Sequence, residues 1–82
     1  MSMKYSETES LRALQFVFAQ KQNERVADKQ AEGKDGWDRE GNISHLEKRL
    51  RERVGGDLKD IYNLIDIANI CMFLWNFRRR GK

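Results

Sequence analysis

The chain has 82 residues, with 16 Lys+Arg against 13 Asp+Glu for a formal charge of +3, six glycines, no proline and one cysteine. That length suits one small domain, which buries only about 60% of the surface its unfolded chain exposes, and a single cysteine excludes the internal disulfides that staple small secreted folds. The charge excess is too mild for a dedicated nucleic-acid packager, so a reduced, cytoplasmic setting with a partner subunit to complete the core is the natural expectation.

"MSMKYSETES" has no apolar run after Lys4 and does not read as a signal peptide. Ser6 with Glu9 fits a capping box, and Leu11, Leu14, Val17 and Phe18 recur at helical spacing with no Gly or Pro before Gly33. The pattern predicts helix one over about residues 7–31. Its second half, "KQNERVADKQAEG", offers only Val26 and scattered alanines for burial, so it must be solvated or line something polar.

"GKDGWDREGN" reads as a linker over about residues 32–43, broken by Gly33, Gly36 and Gly41. Its Trp37 either plugs one end of the core or stacks over a ligand. Ser44 with Glu47 is a second capping box, opening helix two over about residues 45–55. Leu46, Leu50 and Val54 form its narrow apolar stripe, flanked by the i,i+4 pairs Glu47/Arg51 and Lys48/Glu52. His45 has no Cys or His companion at metal spacing and reads as a surface or capping residue. Continuing the helix through Gly55 and Gly56 would cost about 2 kcal/mol, and Asp57 and Asp60 are candidate caps for helix three, over about residues 58–78. No alternating run supports a strand, so the class is all-α, a small three-helix protomer.

Helix three, "IYNLIDIANICMFLWNFRRR", is the most apolar part of the chain, yet Asn63, Asp66, Asn69 and Asn76 recur through it. At 100° per residue Asn63 lies about 60° to one side of Asp66, and Asn69 and Asn76 about 60–80° to the other. Leu64, Ala68, Cys71, Met72 and Trp75 occupy the opposite side, where Cys71 reads as a buried thiol. Solvated helix faces elsewhere in the chain are Lys, Arg and Glu. The amide stripe either meets water like any amphipathic helix face or, as short amides among aromatic and aliphatic neighbours favour, belongs to an interior network or a ligand pocket. A buried, ionised Asp66 then needs a cation, a ligand donor or an arginine. The same residue makes a membrane span unattractive despite the flank of Arg78, Arg79 and Arg80.

The segments "KQNERVADKQAEGKDGW", "HLEKRLRERVGGDL" and "NLIDIANICMFLW", in that order, resemble the MazG-like group of all-α nucleotide pyrophosphohydrolases, especially the short stand-alone forms of phages and bacteria. The resemblance implies a helical bundle completed by dimerisation. It also implies Mg²⁺ held by a Glu-x-x-Glu pair on one helix and a Glu-x-x-Asp pair on the next, for hydrolysis of a nucleoside triphosphate to monophosphate and pyrophosphate. Facing carboxylates would supply the hard oxygen ligands that Mg²⁺ prefers. Here the first pair falls at Arg53 and Gly56 and the second at Asn63 and Asp66, so only Asp66 keeps its carboxylate. What remains implies no Mg²⁺ or a weakly held ion, with Asp66 and Asp57 as metal candidates and Asp66 and Glu52 as catalytic ones. Glu52 and Asp57 would sit about 140° apart on a continuous helix. Arg53 is either one more exposed arginine of "KRLRERV" or a salt-bridge partner for Asp66 where the metal would otherwise lie.

The first functional expectation is therefore a divergent MazG-like protein, weak or inactive as an enzyme but able to bind nucleotide. Lys48, Arg49 and Arg53 would meet phosphates, Trp37 the base, and Asn63 and Asn69 would line the site. The alternatives are an interaction or inhibitory module and an active Mg-dependent pyrophosphohydrolase. The interaction module would pair as a homodimer or with a host protein through Ile61, Ile65, Met72 and Trp75. Nucleic acid stands third: Arg49, Arg51, Arg53 and "RRRGK" could touch phosphates, but the helix that would read bases is the most apolar of the three.

Overall fold

The structure, a computed structural model, describes residues 2–82 except 35, 36 and 38, with side chains described from Glu7 onward. Among the described residues three α-helices follow one another: α1 (Ser2–Ala31), α2 (Ile43–Val54) and α3 (Ile61–Arg79), with one 3₁₀ turn at Glu40–Asn42. No strand occurs among the described residues, as expected of an all-α chain.

Several helix ends differ from the expected ones. Helix α1 already begins at Ser2, so Ser6 lies within it rather than capping it. It stops where Gly33 turns to φ +82°, letting the Gly33 N–H donate to the Gln30 carbonyl and the Lys34 N–H to that of Lys29, both at 2.9 Å. The turn at Glu40–Asn42 leads straight into α2, so Ser44 is its second residue and the Ser44/Glu47 capping box does not mark its start. The Glu47 carboxylate instead faces Arg51 at 3.7 Å and Arg78 at 2.8 Å. Helix α2 does end at the paired glycines, and Asp60 caps α3 by accepting from the Tyr62 N–H at 2.9 Å. The Asp57 side chain is used in the intervening turn, accepting from the Lys59 N–H.

With six residues between them, α2 and α3 pack as an antiparallel hairpin. Arg53 reaches Asp66 near the turn, and Glu47 reaches Arg78 at the far end. Ile43, Leu46 and Leu50 on α2 recur every three or four residues, as do Ile70, Phe73 or Leu74, and Phe77 on α3. Among the described residues Leu46, Ile70 and Phe77 are the buried hydrophobic ones, and Phe77 is wholly enclosed. Val54, expected on the same stripe, is exposed.

Helix α1 joins this hairpin differently. Gln22, Arg25, Val26 and Lys29, at i, i+3, i+4 and i+7, form its half-buried face, and no described side chain of α1 is fully buried. Leu11, Leu14, Val17 and Phe18, expected to pack, stay 58%, 63%, 50% and 40% exposed. The reason is reach: a helix of 30 residues runs about 45 Å, and its described side chains are half-buried only from Gln22 onward. Cys71 is also exposed rather than buried, because the polar side of α3 faces inward and the side carrying Leu64, Cys71, Met72 and Trp75 faces out. Among the described residues, no helix is long and apolar enough to cross a membrane.

Candidate functional site

The inward polar stripe of α3 is held at three levels. Nearest the turn, the buried Asn63 amide donates to the carbonyls of Arg53 and Asp57, both at 3.0 Å, closing the open end of α2. A Cβ at Gly56 would stand 3.6 Å from Asn63 Nδ2, an ordinary contact, and 3.3 Å from the Arg53 carbonyl oxygen, which would have to shift slightly. Only a donor serves at this position. Asn63→Ala should therefore lower stability by about 2 kcal/mol, two hydrogen bonds of ordinary worth. Asn63→Asp should cost at least as much, because a carboxylate would face two carbonyl oxygens. Urea denaturation measures both.

One turn on, Asp66 is 4% exposed and ringed by cations. Arg25 clasps it with a fork, Nε to Oδ1 at 3.0 Å and Nη2 to Oδ2 at 3.3 Å. Arg53 Nη1 stands 3.3 Å from Oδ2, and Lys29 Nζ stands 4.0 Å from the same oxygen. Burial alone would raise the carboxyl's pKa. The Arg25 hydrogen bonds and the charges of Lys29, Arg25 and Arg53 outweigh it and hold the pKa below the usual carboxylate value. For Lys29, burial and the charges of Arg25, Lys34 and Arg53 pull the ammonium below its ordinary pKa against the attraction of Asp66. Arg25 also lies over the Tyr62 ring, 5.7 Å from its centroid.

At the third level Asn69 and Gln22 pair reciprocally: Gln22 Nε2 donates to Asn69 Oδ1 at 3.1 Å, and Asn69 Nδ2 donates to the Gln22 carbonyl at 3.3 Å. Asn76, the last of the stripe, is half-buried and accepts from Arg79 Nε at 2.9 Å.

Beside Asp66 opens a cleft of 410 Å³. Lys29, Lys34, Arg49 and Arg53 bring positive charge to it, while Leu46, Ile70, Phe73 and Trp37 supply an apolar and aromatic wall. The Trp37 ring lies stacked on Phe73, centroids 4.9 Å apart and planes 21° apart, so the linker tryptophan is anchored to α3 and also lines the cleft.

The structure thus brings together Trp37, Arg49, Arg53, Asp66 and Asn69 from the expected set. Lys48 is exposed and does not line the cleft, and Asn63 is committed to the end of α2. Glu52 and Asp57, the other candidates for catalysis and metal, are exposed and also absent from the cleft lining. Among the described residues no three His, Cys, Asp or Glu side chains gather. Of the interface candidates, Ile61, Met72 and Trp75 are 67%, 43% and 64% exposed, and Ile65 is half-buried. His45 is exposed at the cleft's edge. Arg25, Lys29, Lys34 and Gln22 are contributors that the sequence reading missed, although the i, i+3, i+4, i+7 spacing of Gln22, Arg25, Val26 and Lys29 is a legible sign of an inner face.

No family model, curated protein or solved structure matches the chain.

Proposed function

We propose that the chain is a MazG-like helical protein that binds a nucleotide in the cleft beside Asp66 and does not hydrolyse it. The observation that carries this reading is the lining of the cleft, which combines four cationic side chains with an aromatic and aliphatic surface. Phosphates are met by lysine and arginine, a base by flat apolar surface. Hydrolysis of the kind seen in that family requires carboxylates arranged around a metal. At the corresponding place Arg53 points at Asp66, and Arg25 takes both carboxylate oxygens.

Isothermal calorimetry with deoxynucleoside triphosphates tests the binding, and a pyrophosphate-release assay tests the chemistry. Saturable binding without pyrophosphate is the expected pair of results. Turnover would overturn the second half of the reading, and lack of binding the first. Trp37→Ala should weaken nucleotide binding about tenfold, the worth of one aromatic stack. The same change should leave the affinity for inorganic triphosphate unaltered.

A second reading, self-association, is favoured by the surface area. The chain exposes 6557 Å², whereas a compact monomer of its mass exposes about 5,100 Å². The excess, roughly 1,400 Å², is more than each partner loses in an interface of ordinary size. Leu11, Leu14, Phe16, Val17 and Phe18 of α1 are among the exposed large hydrophobic residues, and Phe18 lines a groove with Ile61, Tyr62 and Leu64. A homodimer joined there would leave the Asp66 cleft open, so the two readings are compatible.

A further inference from the structure

Resting on the nucleotide-binding reading, we infer that the cleft takes a nucleoside triphosphate as the free anion, with Arg53, Lys29, Lys34 and Arg49 providing the countercharge that a divalent ion provides elsewhere. A bridging Mg²⁺ needs protein oxygens with open lone pairs directed at the ligand. Among the described residues that line the cleft, Asp66 is the one carboxylate. Its Oδ1 accepts from Arg25 Nε, and its Oδ2 accepts from Arg25 Nη2 while facing Arg53 and Lys29. A metal ion arriving there would have to displace a guanidinium and then sit within a few ångströms of two more cations.

The charge count points the same way. Four cationic side chains against one carboxylate leave the described lining with three positive charges in excess, and Arg25 further neutralises Asp66 from the α1 side. Lys34 and Arg53 have side chains 66% and 30% exposed, so their heads can move onto a ligand, Lys34 by leaving its exposed partner Glu32 at 3.3 Å and Arg53 by leaving Asp66 to Arg25. A free triphosphate carries more negative charge than its Mg²⁺ complex, and each charge masked by the metal is one fewer contact for this ring. The cleft therefore ranks ligands by uncomplexed charge, free triphosphate above diphosphate above monophosphate.

The test is calorimetric titration of the full chain with dATP, dADP and dAMP, in EDTA and again in excess magnesium chloride. Binding of dATP should be about tenfold tighter in EDTA, a difference of 1.4 kcal/mol on the usual conversion, and the ranking by phosphate number should flatten in magnesium. Lys34→Gln should remove part of the EDTA preference without endangering the fold, because that side chain is largely exposed. Circular dichroism confirms its folding, and Arg49→Gln gives a second variant at the same rim. Binding that needs magnesium, or is strengthened by it, overturns this inference and leaves nucleotide binding standing. Absence of binding under both conditions overturns both.

Discussion

Asp66→Ala should destabilise the protein by about 3 kcal/mol, at the low end for breaking a buried ion pair. The cost falls at that end because Arg25 and Arg53 are 32% and 30% exposed and can turn towards water when their partner goes. For a domain this small such a loss is a large share of the total. The loss should also be local in kind. Helix α1 has no fully buried side chain among those described, and its attachment runs through Arg25 and Lys29 to Asp66 and through Gln22 to Asn69. Hydrogen exchange in the variant should quicken first over residues 20–31, ahead of the α2–α3 hairpin. Uniform acceleration across all three helices would show that α1 is held by something else. Replacing the pair together, Arg25→Met with Asp66→Leu, should recover much of the loss, because apolar groups of similar volume need no countercharge.

The same carboxylate gives the fold its acid limb. Its pKa is depressed in the folded state, so Asp66 contributes stability that is fully present above the ordinary carboxyl pKa of about 3.9. That contribution is lost as pH falls through the lower, folded-state value. Protonation leaves three cations around a neutral group. Acid denaturation of the native chain should consequently be steeper below about pH 4 than that of Asp66→Asn, which is weaker at neutral pH but has no charge there to lose.

The second large effect concerns the uncovered half of α1. Leu11→Asp with Leu14→Asp should make the chain monomeric and lower its thermal midpoint. Two buried anchors of an interface are worth about 2 kcal/mol each or more, which is roughly a thousandfold in the dissociation constant. Sedimentation of the native protein should give twice the mass of the variant. If the native chain already sediments as a monomer, the apolar surface has another use and self-association is ruled out. Nucleotide affinity should be unchanged in the variant, since neither residue lines the cleft.

How much of this was legible in the sequence depends on distance along the chain. The inward turn of the α3 stripe could be read from residue type, because Asn63, Asp66 and Asn69 lie among apolar neighbours while exposed faces are built of Lys, Arg and Glu. The Arg53–Asp66 pair could be framed because thirteen positions and one tight turn separate them. The Arg25–Asp66 pair could not: the spacing of Gln22, Arg25, Val26 and Lys29 marks an inner face of α1, but nothing local names a partner 41 positions away. Leu11, Leu14 and Val17 show the opposite failure. Their spacing marks an apolar face correctly, but periodicity carries no information on whether the same chain supplies a surface to cover it. Ser6 and Ser44 have the right side chains for caps and the wrong positions, since helices extended past them.

The attachment of α1 also has a consequence for the order in which the protein assembles. During synthesis α1 emerges first, yet the groups that hold it, Asp66 and Asn69, are made 41 and 47 residues later. At ordinary elongation rates that interval lasts about 2 to 10 seconds. The hairpin needs only contacts between neighbouring helices, so it can close as soon as α3 is complete, and α1 docks last. That docking leaves Leu11, Leu14, Phe16 and Phe18 exposed, so the apolar face of α1 is uncovered from its emergence onward.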